Sequence, residues 1–407
     1  MESTDELEHF ISEHEHSDPA ALRLKYADKS LPFDVDLAII QIECRRKTRG
    51  KLPSLVAGRR FIFPSVLSSE QCTCETIARF HASLIPDGAE ILDMTCGLGV
   101  DDIFMSQKAS AITTFDIVQR NADFATDNFR RLGIKNINVV CGDSLDRLRQ
   151  NPELSFDIIF ADPARRGEFN RRTYALTDCS PDIHTNLSLI ASHTRRLLTK
   201  VSPMLDITEL CRQLANVSRV WVLSVKNECK EILVECDFAK ESTEDPLISA
   251  YNFKNDEIDI EPSVSFRKGT TFPLEQIYDS PADTIKGKYL YEPDSSVLKC
   301  GASAMLADRF GLQKLHPNTM LYLSDKCHPD FPGRVFFVKD VYTPGKLLKT
   351  RMKGERRNVL CRNSQLKPTQ IAAQSGIREG SGSDYLIGAT LSTAPNKTII
   401  FDSKSIT

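Results

Sequence analysis

An α/β fold with a mostly parallel central sheet is the fold class that this sequence predicts, on two observations. Five short apolar runs follow one another in the middle of the chain: 89–94, 111–116, 137–141, 156–161 and 197–201. Helical stretches separate them, notably 120–132 and 183–198, and this alternation is typical of βαβ units. Two further apolar runs, 219–225 and 231–236, give seven predicted strands, of which the last fits an antiparallel edge strand. The second observation is a glycine-rich turn directly after the first run.

The regions on either side of this sheet have different patterns, and four domains are predicted: 1–62, 63–255, 256–330 and 331–407. The first is helical, because Asp18-Pro19 is a typical helix start and apolar residues recur beyond it. The second holds the sheet and begins with a helix predicted over 68–84. The last two are small α+β domains, the earlier one ferredoxin-like. They include a helix over 303–310 that Gly311 ends, and a hairpin formed by 385–390 and 397–401.

Composition excludes several classes of protein. The chain has 407 residues, 26% of them charged, and a formal net charge of -3, so it has no histone-like coat of positive charge, although a local basic face remains possible. The acidic N-terminus lacks the apolar core of a signal peptide, and no run approaches the ~18 apolar residues of a membrane span. The 12 cysteines contain no C-x-x-C pair. A cytoplasmic location without a zinc site or a membrane is therefore expected.

The turn at 93–101 is the candidate ligand-binding site. Gly97 and Gly99 lie where a strand turns into a helix, and glycine there lets the backbone approach a ligand closely. Asp116 ends the second run and can accept hydrogen bonds from ribose hydroxyls, and Asp143 ends the third, where a carboxylate can receive the amine of adenine. Each could instead be a solvated carboxylate or a helix cap. Their occurrence in order at successive strand ends favours a nucleoside.

The nucleoside is better interpreted as S-adenosylmethionine than as NAD. A dinucleotide site needs a third glycine that seats pyrophosphate on the start of the helix. Here that position is Asp102, preceded by Asp101, and both carboxylates would repel a phosphate. A sulfonium cofactor carries positive charge and no phosphate, so acidic neighbours stabilise it. The sequence also lacks G-K-[ST], which argues against a P-loop nucleotidase.

The run from 93 to 101 with Asp116, Asp143 and Asp162-Pro163 is similar to class I S-adenosylmethionine-dependent methyltransferases, which have a Rossmann-like sheet. The segment 63–78 followed by 93–97 also resembles the trimethylguanosine-synthase branch, which methylates an exocyclic guanine amine. Most of the chain resembles an uncharacterised bacterial group of methyltransferase-like proteins with a THUMP-like C-terminal domain, which places that domain at 331–407. The segments that carry this second resemblance are 71–72, 162–166, 202–206, 227–230, 332–334 and 384–386.

The resemblance implies a set of site residues. Asp162 and Pro163 are expected to face the acceptor, where the carboxylate and a backbone carbonyl orient an amine. Arg165, Arg166 and Lys200 are the candidate substrate-binding residues, with surface ion pairs as the alternative for the two arginines. The residues expected to bind the cofactor are Asp93, Thr95, Gly97, Gly99, Asp101, Asp116, Ile117, Asp143 and Ser144.

The sequence departs from amino-methylating relatives, because Ala164-Arg165 replaces proline and an aromatic residue. Asp-Pro-x-Arg also occurs in uridine C5 methyltransferases, which carry a cysteine nucleophile at the end of the fifth strand, where this chain has Lys200-Val201-Ser202-Pro203. Cys229 and Cys236 lie one or two strands later and are interpreted as structural. The C5 route is therefore disfavoured. Direct in-line transfer to a nitrogen requires mainly positioning and a dry pocket.

The acceptor is expected to be a base in RNA, either tRNA or rRNA. Four basic clusters could follow a phosphate backbone: 45–51, 165–172, 195–200 and 346–357. THUMP-type modules bind RNA in the proteins that this domain resembles. One alternative is a small-molecule or protein acceptor, which the net charge and the single Trp favour. Another is a non-catalytic RNA-binding protein that retains the fold, and the intact acidic set argues against it. The sequence does not indicate an oligomeric state.

Overall fold

The computed structural model describes residues 5–165, 176–239, 245–380 and 382–406. The chain divides into two compact units. The first comprises 1–226, 230–247 and 253–260, and the second comprises 227–229, 248–252 and 261–407. The four predicted domains stay a prediction, since this division does not test their boundaries.

Helices form the first part of the first unit, as the sequence predicts. Their bounds are α1 Asp5–Glu13, α2 Pro19–Tyr26, α3 Val35–Thr48, α4 Pro53–Ala57, α5 Val66–Gln71 and α6 Glu75–Ser83. Asp18 caps α2, because its carboxylate accepts from the backbone N–H groups of Ala20 and Ala21. The single helix predicted over 68–84 is wrong. Two helices replace it, because Cys72 and Cys74 adopt extended backbone between them.

The remaining elements of the first unit alternate as expected. The helices are α7 Val100–Met105, α8 Gln119–Leu132, α9 Ser144–Gln150, α10 Leu187–Ala191 and α11 Ile207–Gln213. The strands are β1 Glu90–Asp93, β2 Ala111–Asp116, β3 Ile137–Cys141, β4 Phe156–Ala161, β5 Ala164–Arg165, β6 Cys179–Ser180, β7 Thr194–Val201, β8 Val217–Val225 and β9 Glu228–Asp237. The helix predicted over 183–198 is therefore too long, because 194–198 belongs to β7 and pairs with β4.

The mixed α/β class is confirmed, with a different strand count. Two strands not in the predicted seven, β10 Leu247–Phe253 and β11 Val264–Arg267, extend the sheet to nine in the order β11-β10-β8-β9-β7-β4-β1-β2-β3. Strand β9 is antiparallel, as predicted, but it pairs with β7 inside the sheet and does not lie at its edge. Its neighbour β8 covers the side that would otherwise have been open.

The parallel strands at the centre place the site. Strand β1 pairs parallel with both β2 and β4, β2 pairs parallel with β3, and β4 with β7. Strand β4 is buried from Ile158 to Ala161, which fits a strand covered on both faces. Because parallel strands end at the same edge of a sheet, Asp162, Asp93 and Asp116 follow one another in this order along a single edge.

The second unit, which includes most of β10 and all of β11, also contains a mixed sheet of eight strands. Its strands are β12 Tyr289–Pro293, β13 Gln313–His316, β14 Thr319–Ser324, β15 Gly333–Tyr342, β16 Arg356–Arg362, β17 Arg378–Glu379, β18 Asp384–Leu391 and β19 Ala394–Ser405. Its helices are α12 Ser295–Lys299, α13 Ser303–Phe310, α14 Lys346–Met352 and α15 Pro368–Ser375. The predicted hairpin is confirmed as β18 and β19. Helix α13 has the predicted bounds, and Gly311 follows it with a φ of 62°.

One sheet spans both predicted C-terminal domains. The order β13-β14-β12-β15-β19-β18-β16-β17 places β12 of the earlier segment directly beside β15 of the later one. Among the described helices, none combines the length and apolar character that a bilayer crossing requires.

Candidate active site

Asp93 anchors the glycine-rich turn after β1. One of its oxygens, Oδ1, accepts from the Thr95 backbone N–H at 2.9 Å and from the Thr95 hydroxyl at 3.3 Å. The other oxygen accepts from the Thr114 hydroxyl on β2 at 3.1 Å. Burial raises the pKa of the Asp93 carboxyl to about 7, and the nearby charge of Asp101 also raises it. The turn is thus held by a carboxyl that titrates close to neutral pH.

The two glycines of the turn have different reasons to be glycine. Gly97 has a φ of 53°, and a Cβ added to it would meet nothing within 4 Å, so open space lies in front of its backbone. Gly99 has a φ of 69°, and a Cβ there would lie 2.4 Å from Cζ of the buried Phe129. Gly97 therefore allows a ligand to approach the backbone, whereas Gly99 is required by the packing of α8 against the turn.

Asp116 lies at the end of β2, as predicted. Its carboxylate accepts from the Val118 backbone N–H at 2.8 Å and from the Asn121 side-chain amide. Burial raises the pKa of the Asp116 carboxyl. The next residue, Ile117, has 70% of its surface exposed, and Val118 is exposed as well. A half-buried carboxylate beside exposed apolar side chains is a surface that suits a sugar and a base.

Asp143 and Ser144 follow β3 and begin α9. Asp143 caps the helix, because Oδ1 accepts from the Leu145 N–H at 2.8 Å and from the Asp146 N–H at 3.3 Å. Ser144 is buried and donates to the Met94 carbonyl at 3.4 Å. Asp143 is therefore a helix cap, which is one of the alternatives that the sequence leaves open. A cofactor contact for either residue stays a prediction.

Asp162 is joined to the glycine-rich turn. Its backbone N–H donates to the Thr95 hydroxyl oxygen at 2.7 Å, so the end of β4 is fixed to the end of β1. The Asp162 side chain is 45% exposed, and its Oδ2 accepts from the Lys200 ammonium at 2.7 Å. Pro163, the other residue predicted to face the acceptor, follows it and is half-buried. The predicted acceptor position is therefore an accessible carboxylate held by a buried cation.

Lys200 belongs to a group that we name the buried charge network, formed by His81, Asp101, Lys200 and Glu231. The Lys200 ammonium donates to the Thr73 hydroxyl at 2.7 Å and lies 3.4 Å from Asp101 Oδ2 and 3.5 Å from Glu231 Oε2. Burial alone would lower the Lys200 pKa, but the Asp101, Asp162 and Glu231 carboxylates raise it well above its usual value. Three carboxylates thus surround the Lys200 ammonium.

His81 bridges the two inner carboxylates of the network. Its Nδ1 lies 2.8 Å from Asp101 Oδ1, and its Nε2 lies 2.8 Å from Glu231 Oε1. The side chain is 0% exposed. Burial alone would lower the His81 pKa, but Glu231 and Asp101 overcome this effect and raise it to about 9. The Lys200 ammonium, and after it His81, hold the pKa values of the Asp101 and Glu231 carboxyls below their usual range, although burial alone would raise them.

These positions modify two sequence predictions. Asp101 is predicted to bind the cofactor, but its oxygens already accept from Thr73, His81 and Lys200. Lys200 is predicted to bind substrate, but its ammonium is buried among carboxylates. Both roles stay predictions, and any such contact would have to compete with these partners. Asp102 is also fully buried, and burial raises its pKa well above the usual value.

The two candidate substrate-binding arginines, Arg165 and Arg166, lie where the described part of the chain ends. The backbone of Arg165 pairs with Cys179 in the two-stranded β5–β6 sheet. Arg166 and the rest of the basic cluster up to 172 lie outside the described residues. Their predicted substrate role stays a prediction.

The other basic clusters differ in how far their charges are paired. In the 45–51 cluster, Arg45 binds Glu8 through two hydrogen bonds, and Lys47 pairs with Glu43 and Glu70. These ion pairs belong to the first unit, so that cluster is in part internally neutralised. Among the side chains that the structure describes in the 346–357 cluster of the second unit, the exposed basic ones are Lys349, Arg351, Lys353 and Arg356.

Sequence reasoning missed three members of this arrangement: Thr73, His81 and Glu231. Their hydrogen-bond partners lie between 20 and 150 residues away along the chain. No local motif marks such contacts. The one available signal was that Lys200 is an ionisable residue within an otherwise apolar run, which requires a buried countercharge.

Comparisons with known proteins agree with this architecture. The chain is 27% identical to a protein from Porphyromonas gingivalis W83 whose crystal structure carries a provisional methyltransferase name, with 99% of this chain and 98% of that chain covered and a TM-score of 0.81. It is 23% identical to an uncharacterised S-adenosylmethionine-dependent methyltransferase of Mycobacterium tuberculosis over 77% of this chain and 79% of the relative. An uncharacterised RNA methyltransferase of Mycoplasma mobile is 38% identical over 80 residues, 19% of this chain and 21% of the relative.

The predicted resemblance to methyltransferases is confirmed by these relatives, whereas that to the trimethylguanosine-synthase branch is not. A family model described as a ferredoxin-like domain matches residues 289–332. A ferredoxin-like domain is thus present in the C-terminal half, although the match begins later than the predicted start at 256.

Proposed function

We propose that this chain transfers a methyl group from S-adenosylmethionine to a nitrogen of a base in RNA. Relatives named as methyltransferases support the activity class over most of the chain. The observation that carries the proposal is the hydrogen bond from the Asp162 N–H to the Thr95 hydroxyl. It joins an open glycine turn, where a cofactor would bind, to an accessible carboxylate, where an acceptor would bind.

The residues of the turn fit the cofactor. The space in front of Gly97 admits a ligand against the backbone, and Asp116 offers a carboxylate to ribose hydroxyls beside the apolar surface of Ile117. Asp93 and Asp116 are acidic, and no basic side chain holds either carboxylate among the hydrogen bonds of the described residues. That environment suits a positively charged ligand without phosphate. When bound, S-adenosylmethionine supplies an electrophilic methyl group on sulfur.

Asp162 is suited to orient a nitrogen acceptor. Lys200 holds Oδ2, whereas Oδ1 makes no hydrogen bond with the part of the chain that the structure describes. That oxygen can accept from an N–H of the acceptor and so direct the nitrogen lone pair towards the methyl group. The nitrogen must lose one proton once the new N–C bond has formed, and the half-exposed carboxylate can pass that proton to solvent. In-line positioning is the main requirement for this reaction.

RNA is the acceptor that we favour. The Mycoplasma mobile relative is named as an RNA methyltransferase. The second unit exposes Lys349, Arg351, Lys353 and Arg356 over a short stretch of helix and strand, which suits a phosphate backbone. The predicted THUMP-like domain at 331–407 includes this stretch.

A small-molecule or protein acceptor is the second candidate. The ion pairs of Arg45 and Lys47 leave less free positive charge on the first unit than the sequence suggests, and the net charge of the chain is -3. A non-catalytic RNA-binding role is the third. It does not account for an Asp162 that remains accessible and oriented by Lys200.

The experiment that tests the proposal incubates the purified protein and radiolabelled S-adenosylmethionine with total RNA from a strain lacking the gene. We expect label in RNA, and we expect Asp162→Ala to abolish it. Asp87→Ala is the control, because Asp87 is exposed and precedes the amino end of β1, away from the site. Label only in protein or small molecules would favour the second candidate. Full activity of Asp162→Ala would refute the catalytic assignment, and absence of cofactor binding in calorimetry would refute the function.

A further inference from the structure

The buried charge network contains a histidine that no step of the proposed reaction uses. His81 lies on α6, at a site that the acceptor does not reach, because its side chain is 0% exposed. Each of its ring nitrogens nevertheless lies 2.8 Å from a carboxylate oxygen, from Asp101 on one side and Glu231 on the other. A neutral imidazole has one nitrogen that can only accept, and a carboxylate has no proton to give it. The geometry therefore requires an imidazolium.

The charges of the network balance only with that imidazolium. Asp101 and Glu231 are both buried, and each lies within 3.5 Å of the Lys200 ammonium. With His81 protonated, two cations face the two buried carboxylates and the half-exposed Asp162, whose charge is also stabilised by solvent. With His81 neutral, Lys200 would be the one cation serving both of them in addition to Asp162. In a region of low dielectric constant, an unbalanced carboxylate would attract the ammonium strongly.

We propose that His81 is a positioning residue, which as an imidazolium balances Asp101 and Glu231 and thereby leaves Lys200 to hold Asp162 towards the acceptor. Asp101 follows Gly99 by two residues, so the same network also reaches the glycine turn. His81 thus acts through Lys200 and contacts neither the cofactor nor the acceptor. The consequence for catalysis rests on the proposed function, whereas the charge state of His81 does not.

The first test needs only the cofactor-free wild-type protein. The protein is labelled with ¹⁵N in its eight histidines, and the His81 ring is assigned through its scalar connection to the backbone. At pH 7.5 we expect both ring nitrogens to be protonated, with deprotonation near pH 9. The groups that face the ring are Asp101 on α7, Glu231 on β9 and the aromatic ring of Phe160 on β4. An unprotonated ring nitrogen at pH 7.5 would overturn the proposal, whether or not the protein is a methyltransferase.

The second test separates charge balance from packing. His81→Gln removes one positive charge, and we expect kcat to fall roughly ten- to a hundredfold, by comparison with the loss of a group that orients a metal ligand, with little change in KM for the cofactor. The double variant His81→Gln/Glu231→Gln removes one charge of each sign. We expect it to regain most of the lost kcat. A purely structural role for His81 predicts the reverse, because the second substitution would add further damage.

The matched control is His193→Gln. His193 is also buried, but its Nδ1 donates to the Leu154 carbonyl and no carboxylate faces it among its described hydrogen bonds. We expect this variant to keep its kcat. A double variant no better than His81→Gln, or an equal loss in His193→Gln, would overturn the proposal. If the wild-type protein neither binds the cofactor nor transfers methyl groups, the proposed function fails, and the histidine spectra alone decide the inference.

Discussion

The carboxylates at the tips of β2 and β3 hold their main partners within five residues, whereas those of the buried charge network find theirs far along the chain. Asp116 accepts from Val118 and Asn121, and Asp143 caps its own helix. Asp101, by contrast, binds His81 from 20 residues away and Lys200 from 99. The proposed cofactor site is thus formed by local turns and helix caps. The proposed acceptor position requires several distant elements to meet.

The strand-tip carboxylates and the buried charge network also differ in their exposure to solvent. The Asp116 and Asp143 carboxylates remain partly or fully accessible and accept mainly from backbone and amide N–H groups. The network is buried and neutralises charge with charge. Removing a partner at an accessible strand tip should therefore have a small effect on stability, and removing one from the network a large one.

The largest expected effect is that of Lys200→Met, which breaks the network at its centre. It leaves Asp101, Glu231 and Asp162 without their shared cation, and removing one member of a buried ion pair costs about 3–5 kcal/mol. We expect a fall of this size in the free energy of unfolding, measured in urea. Lys108→Met is the control, since Lys108 is exposed, and it should change stability by no more than about 0.5 kcal/mol. Equal stabilities for the two variants would contradict the network.

The two glycines of the turn, Gly97 and Gly99, can be compared with each other by substitution. Gly99→Ala combines a left-handed backbone with a Cβ that collides with Phe129, so we expect a loss of about 3 kcal/mol in stability. Gly97→Ala has a similar φ but open space, and should cost only about 1–2 kcal/mol. Calorimetry with the demethylated cofactor should show a loss of affinity for Gly97→Ala, since its methyl group enters the proposed pocket. Unchanged affinity would show that the cofactor does not approach this backbone.

The smallest effect is a dependence of stability on pH. The His81 pKa is raised from 6.5 to about 9 in the folded protein, so this group stabilises the fold fully below pH 6.5 and loses its contribution as pH rises through 9. Between pH 7 and 9 we expect the free energy of unfolding to fall by about 2 kcal/mol, and His81→Gln should show a flatter profile. Asp93, whose pKa is raised to about 7, loses most of its own contribution below pH 7 as pH rises, and this contribution is common to both proteins. Parallel profiles for the two proteins would contradict the imidazolium.

Much of the sheet could be predicted from local pattern. Residues 111–116 and 137–141 were predicted as strands and have those bounds, because an apolar run between turn residues leaves few alternatives. The prediction at 183–198 failed because a short apolar run fits a buried strand as well as a helix. The helix predicted over 68–84 failed because no breaking residue marks the extended backbone at Cys72 and Cys74.

The amino-acid sequence is enough to predict the fold class and the glycine turn, since these depend on the periodicity of apolar residues and on glycines placed between a strand and a helix. The resemblance to methyltransferases implies that Asp162 faces the acceptor, whereas the exposure of its side chain and the residues around it are known from the three-dimensional structure alone. The partnership of Lys200 with His81 and Glu231 depends on how α6, β7 and β9 pack, and hydrophobic burial, which drives that packing, leaves no mark on the spacing of the charged residues that it brings together.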